Sequence, residues 1–458
     1  MARRTASGLA RTRSRKTIIF IAAAAAGALS LAACGGSSSP SASSSSTAGI
    51  GSTTSGTIVW SASPIAGAGA TDTRTVLISA FEKAYPKIKV TLVSASTSTD
   101  TNRATLATTI SGGSATPDVY MGDVIWPAQF GAHQLAVPLS NYLPASYFAK
   151  FAPGLIQGAT YKGKVYGSPL FEDQGFLYYR KDLLAKYHMS VPTTWEQLAS
   201  DAKTIQAKNG IKYGFVWEGD SYEGLTCDFM EYLTDAGGAV TNSTYSKATL
   251  DSPAALKAVT FMRSLITSGV TPAAVTTFQE PQAMDVFAAG QSVFLRNWDY
   301  AYSYATTPAT SKLTKSQVGV APLPTFQGQS YPGYSNIGGW NMYINPHSKH
   351  IGLDLTFIKW LASTQAQDIL SEQYSEIPTV ESVRTSAAVI SSNAVLAIVP
   401  KTKLVPRPAG TPNYPALSTA IYTNVNAILA GSVSPSAGLS SAQSQANTAL
   451  ASTSSGGL

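Results

Sequence analysis

The sequence is poor in the residues that staple or ligate. It has two cysteines, Cys34 and Cys227, in 458 residues. One lies at the end of an apolar run and the other deep in the chain, so no disulfide framework is expected and Cys227 reads as a small buried hydrophobe. The four histidines, His133, His188, His347 and His350, are scattered and form no HExxH or similar spacing. No zinc site, other metal or cofactor is expected. No GxSxG marks a serine nucleophile. Charge is sparse, at 12% of residues. Of the 32 Lys and Arg residues, six lie before residue 34, where no acid stands. The remaining 26 face 25 acids, a net +1, so the basic balance belongs to the N-terminus and gives no case for a nucleic-acid partner. The longest apolar run, Ile18 to Leu31, has fourteen residues. That is short of the roughly 20 needed to cross a bilayer.

What the N-terminus does contain is ordered in a telling way. Arg3, Arg4, Arg11, Arg13, Arg15 and Lys16 precede the apolar run, and Leu31-Ala32-Ala33-Cys34 closes it. A basic flank, a short oily core and small residues describe an export signal over 1–33. The four closing residues resemble the lipobox of bacterial lipoproteins, which implies cleavage before Cys34 and lipidation of its thiol. Residues 35–56 are nearly all Ser, Thr, Gly and Ala, with nothing to bury. Such a tether reaches about 25 Å as a flexible coil. The expectation is a lipid anchor, a leash and a globular body on the extracytoplasmic side of the cell membrane.

The body, about 400 residues, exceeds one ordinary core, so two lobes are expected. Its opening reads β-α-β-α-β: TIVW (57–60), a helix over 72–85 stopped by Pro86, IKVTLVS (88–94), a helix over 102–110, and PDVYMGD. That grammar predicts parallel sheet with helical crossovers. It resumes with a helix capped by Thr194, a strand over 211–217, helices over 225–234 and from Pro253, the strand SVFLRNW, another over 317–324, and a helix over 353–370. Residues 436–458 return to Ser, Ala and Gly and read as a weakly ordered tail.

Several segments carry a resemblance. SPLFEDQGFLYYRKDLLAKY (168–187), FVWEGDSYEGLTCDFMEYLTDAGG (215–238), AGQSVFLRNWDYAY (289–302), IGGWNMYIN (337–345) and VPRPAGTPNYPALS (405–418) resemble the extracellular sugar-binding proteins of ABC importers, in the trehalose/maltose-binding branch. The likeness runs in order over about residues 57–435. It implies an α/β, two-lobed periplasmic-binding-protein-like fold with a ligand cleft and about three hinge crossovers. The lobes would be 57–168 with 316–371, and 169–315 with 372–435. It further implies a monomeric, non-enzymatic binder that closes on an α-linked disaccharide or small oligosaccharide and delivers it to the transmembrane subunits of a permease.

A sugar offers hydroxyl edges and apolar faces, so its site needs carboxylates, amides and guanidinium groups beside flat rings. The resemblance places those roles on Asp123, Phe171, Asp173, Asn297, Trp298, Gly339, Trp340 and Arg407. Trp298 and Trp340 are the expected stacking rings, and Arg407 donates to sugar or to a cleft carboxylate. Asp118 reads as structural, and Tyr178 and Tyr179 as core. Trp126 reads equally as cleft lining or as packing beneath it. The loop 61–70 lacks the acid or amide that relatives often carry, leaving Ser63 and backbone groups for contacts. The alternatives are a secreted, lipid-anchored glycoside hydrolase, using Asp123 and Asp173 as its carboxyl pair, and a binding protein for a different small solute.

Overall fold

The computed structural model describes residues 51–65 and 72–452. Residues 1–50, which take in the expected export signal, Cys34 and most of the expected tether, and residues 66–71 lie outside the described residues. No helix among those described is long and apolar enough to cross a membrane.

The chain opens with β1 (Gly56–Ala62), whose Ile58, Trp60 and Ala62 are all buried. Helix α1 (Thr73–Ala84) starts where the Asp72 carboxylate accepts from the Arg74 N–H, and it buries Leu77 and Phe81. Strand β2 (Ile88–Ser94) returns parallel to β1. Helix α2 (Thr99–Ser111) is capped by the Ser98 hydroxyl, and β3 (Val119–Asp123), buried throughout, pairs parallel on β1's other side. The expected β-α-β-α-β opening is present with its parallel sheet.

The long β4 (Ser168–Arg180) follows. Then come α3 (Trp195–Asn209), β5 (Tyr213–Val216), α4 (Glu223–Asp235), α5 (Pro253–Thr267), α6 (Glu280–Ala288), β6 (Ser292–Trp298) and β7 (Val318–Ala321). The chain crosses back through β8 (Tyr334–Ile344) into α7 (Ile351–Leu361). It leaves again through the short β9 (Ile377–Pro378), reaches β10 (Lys403–Val405), and ends in α8 (Tyr414–Ala430) and α9 (Pro435–Ala451).

Strand order is β2-β1-β3-β8-β4-β6-β5, with β7 and β9 on β4 and β10 on β8. The sheet is mixed: β8 runs antiparallel to both β3 and β4, and β4 antiparallel to β6 and β7. The first part of β4 pairs with β8, and its last residues pair with β6 and β7. Likewise β8 pairs first with β10 through Tyr334–Asn336 and then with β3. Two α/β lobes therefore share their central strands, and β9 gives the third crossing. The first lobe buries Trp60, Phe81 and Phe357 in edge-on contact. The second packs Trp195 on Tyr232 and Phe215.

Two local expectations need correction. The helix expected over 353–370 stops at Leu361, and a new turn starts at Thr364 under a Ser363 cap. In the tail expected from 436, the described residues form α9, a helix that runs to Ala451. Leu439, Ala442, Ala446 and Ala449 make one buried face at helical spacing against α8. Small residues let the two helices approach, and Gln443 and Asn447 accept backbone N–H groups of Leu250 and Ala248. Ser/Ala composition hid an amphipathic face built from alanine.

Asp118 is structural, as expected: it accepts the Val59 N–H at 2.8 Å and faces the Ser348 hydroxyl at 3.0 Å. The same hydroxyl reaches Asp354 at 2.7 Å. Burial pushes the Asp354 carboxyl up to about 8, against the pull of the Ser348 bond, and the Asp118 charge adds to it. A raised carboxyl binds its proton more tightly folded than unfolded. Its contribution is thus complete below the ordinary carboxylate range and is lost as pH rises through about 8. Asp354→Asn should therefore gain on the wild type by about 1–3 kcal/mol between pH 5 and pH 9, read from denaturant midpoints at each pH. Parallel pH profiles would refute it.

Candidate functional site

A cavity of about 150 Å³ opens at the seam of the lobes. Seven of the eight expected site residues line it, all but Asn297. Strand ends deliver them. Asp123 closes β3, and its register partner on β8 is Trp340, which in turn lies opposite Phe171 on β4. Asp173 follows two residues on, and Trp298 ends β6 opposite Gly175.

Gly339 has φ of 119°, and a Cβ there would lie 2.6 Å from the Phe171 carbonyl oxygen. Only glycine lets β8 come this close to β4 in that conformation, bringing Trp340 beside Phe171. Trp340 keeps partial exposure and meets the buried Trp126 edge-on, with ring centroids 6.5 Å apart. Trp126 stacks on Phe130 and lies beneath the site rather than in its lining.

Trp298 is anchored rather than free. Its Nε1 donates to Glu218 at 3.2 Å, and the Arg296 guanidinium lies 4.3 Å from its ring centre. Behind it sits an ion cluster: Arg296 hydrogen-bonds Glu218 at 2.8 Å and Glu231 at 2.6 Å and makes a charge contact with Asp228 at 2.9 Å, all fully buried. Gly175 admits that cluster, since a Cβ there would meet Glu231 at 2.6 Å and Arg296 at 2.7 Å.

Asn297 is the residue misplaced. It is buried, its amide donates to the Glu280 carbonyl at 3.2 Å, and its side-chain oxygen accepts the Trp298 N–H at 2.9 Å. Adjacent strand residues point to opposite faces, so a lining Trp298 sends Asn297 behind the wall. It ties α6 to β6.

Arg407 spans the two lobes. It grips Asp123 of the first lobe at 2.6 and 3.2 Å and Glu223, at the start of α4, at 3.0 Å. Glu223 also accepts from the Tyr414 and Ser418 hydroxyls. Burial pushes Glu223 up to about 7 even against the Arg407 charge. Asp173 is likewise pushed up to about 7 by burial, opposed by a hydrogen bond shared with Glu376.

The structure adds lining residues the sequence did not single out, among them Tyr222, Glu223, Glu280, Tyr300 and Glu376. Glu223 lies in a segment that carried the resemblance, and its acid at a helix start was a usable signal. Glu376 lies in a loop with no pattern around it. Ser63 lines the cavity too, bonded to the Ser96 carbonyl and the Asn102 amide.

Carboxylates and a guanidinium beside flat rings, at the seam of two lobes sharing hinge strands, define a clamp for a small polar solute. The profile of the bacterial extracellular solute-binding protein family matches residues 67–368, and the chain belongs to that family. It is 35% identical over 343 residues to a probable ABC transporter-binding protein of Deinococcus radiodurans, spanning 72% of this chain and 79% of that one. Its fold superposes on maltose-bound MalE3 of T. maritima with a TM-score of 0.78 at 32% identity, covering 86% of this chain and 99% of that one. The GacH receptor of Streptomyces glaucescens, solved unliganded and with acarbose, gives 0.75 at 25% identity over 86% and 98%.

Proposed function

We propose that this chain is the solute-binding component of an ABC importer, taking a sugar into the cleft by lobe closure and handing it unaltered to a membrane permease. The observation that carries this reading is the convergence of Trp298, Trp340, Phe171, Asp173, Asp123 and Arg407 on one cavity at the seam. Closure is a population shift between open and closed lobes, driven by contacts the solute makes only with both. A lipid on Cys34 would keep the monomeric clamp near its permease. The sugar in this reading is an α-linked disaccharide of the trehalose or maltose class, supported by the likeness to maltose-bound MalE3. The cavity of about 150 Å³ favours a second reading, a single-ring sugar or polyol, because it is smaller than the roughly 300 Å³ at which ligand pockets begin.

Thermal unfolding against a panel of trehalose, maltose, glucose and polyols separates these. A true ligand at 100 times its dissociation constant stabilises by about 2.7 kcal/mol. Recovery of the sugar unhydrolysed separates a binder from the glycoside hydrolase, and a cleaved product would overturn the reading. Trp340→Ala should weaken binding by roughly 1–3 kcal/mol through loss of ring burial. Trp298→Ala should do at least as much, because it also strips a donor from Glu218. Titration calorimetry measures both, and unchanged affinity in both would remove the stacking role.

A further inference from the structure

At the floor of the cleft, three carboxylates meet from three segments: Asp173 on β4, Asp299 just after β6, and Glu376 just before β9. Each offers an oxygen within 4.8 Å of the other two, and all three residues are buried. Asp299 spends one oxygen on the Gln174 N–H at 3.1 Å. Asp173 Oδ1, Asp299 Oδ2 and both oxygens of Glu376 accept no hydrogen bond from any group outside the trio. The neighbouring acids differ. Glu172 is held by Arg384 at 2.6 Å, Asp123 and Glu223 by Arg407, and the Glu218 group by Arg296. This trio has no such arginine, although it faces the cavity through Asp173 and Glu376, beside Trp298 and Tyr300.

Three carboxylates this close cannot all stay ionised unless positive charge lies between them. Two protons shared pairwise would occupy all four vacant oxygens, so the trio either holds protons or exchanges them for a cation, the rest of the chain supplying no donor to these atoms. Burial together with their mutual repulsion holds Asp299 and Glu376 well above the carboxylate range, so the cluster is poised to gain from any cation. A primary ammonium carries three N–H donors splayed tetrahedrally, and three acceptors at about 2.8 Å from one nitrogen stand about 4.6 Å apart. Aromatic walls favour an organic cation further. A calcium ion would want about six to eight oxygens, where this corner offers three carboxylates, one of them partly spent, and ring faces.

We propose that this corner of the cleft receives a protonated primary amine of the solute, so that the cargo is an amino sugar rather than a neutral one. The proposal rests on the sugar-binding reading of the same cleft and narrows it. The chain as a whole is sparsely charged, yet the local balance in the cleft, with Arg407 already engaged by Asp123 and Glu223, leaves these three acids without a counter-charge.

Calorimetric titration of the purified protein with glucosamine, N-acetylglucosamine and glucose, and with an amino-trehalose against trehalose, tests it. The amine-bearing member of a set should bind about tenfold tighter or more than its uncharged counterparts. Glu376→Gln and, separately, Asp299→Asn should bring that ratio towards one; both are isosteric, and the amide introduced by Asp299→Asn keeps an acceptor for the Gln174 N–H. Equal or tighter binding of the neutral sugars would overturn the amine while leaving the sugar reading standing. No binding by any sugar would overturn both. Stabilisation by calcium chloride, reversed by chelator and absent in Glu376→Gln, would assign the corner to a metal ion and overturn the amine.

Discussion

Arg296→Ala should lower the stability of the protein by about 3–5 kcal/mol, the largest effect of any single substitution considered. The guanidinium is 1% exposed and makes charged contacts with Glu218, Asp228 and Glu231. Burial drives all three acids upward, joined at Glu218 and Asp228 by the charges of neighbouring acids, and the Arg296 charge is the main force opposing it in each. Without it, three buried carboxyls would have to take up protons or water. Trp298 would lose the cation beneath its ring, and the Asn336 N–H would face a Glu231 no longer fixed in place. Against a total stability of about 5–15 kcal/mol, that leaves little margin. Lysine should not restore it, because one ammonium cannot reproduce the fork that meets Glu231 through two nitrogens. Urea unfolding followed by tryptophan fluorescence reads the change. A loss below about 1 kcal/mol would mean that the three acids are already neutral in the folded state.

Arg407→Ala should act on the closed state rather than on the fold. Arg407 is the side chain through which Asp123 of one lobe and Glu223 of the other share a positive charge. Removing it brings two carboxylates face to face across the seam on closure. The expected cost to ligand affinity is about 2–5 kcal/mol, the range for truncating one member of a buried interfacial charge pair. Unfolding free energy without ligand should fall less than affinity, since an open cleft lets both acids hydrate. Small-angle scattering should show the unliganded variant more expanded than the wild type. Glu223→Gln should be milder, because the amide oxygen can still accept from Tyr414 and Arg407 while the amide nitrogen donates to the Ser418 hydroxyl. Unaltered affinity in Arg407→Ala would show that closure does not depend on this bridge.

Much of the fold was legible because it is local. Ile88, Val90 and Leu92 alternate, Leu77 and Phe81 fall one turn apart, and Pro86 punctuates, so the opening units could be read from local pattern, although the second helix starts at Thr99 under its Ser98 cap, three residues before the expected 102. The antiparallel pairing of β8 with β3 and β4 was not legible, because it joins residues over 160 apart, such as Gly338 and Asp173, through contacts no window contains. Helix α9 was missed because its buried face is mostly alanine, which composition cannot tell from a loose linker. In the site, Trp298, Trp340 and Arg407 were found through segments that resemble a family. Asn297 was carried along with its neighbour, and the pleat then turned it away. Asp299 and Glu376 gave no spacing signal, since only the folded crossings bring them to Asp173.

The sharing of β4 and β8 between lobes has a consequence for biosynthesis. Neither lobe is a continuous length of chain: the first lacks a central strand until Ile344 has been made, and the second lacks α8 until Ala430. A nascent polypeptide emerging from the ribosome therefore cannot settle into half a clamp and wait. Both cores close only once nearly all of the chain exists, so folding depends on contacts between segments far apart in sequence.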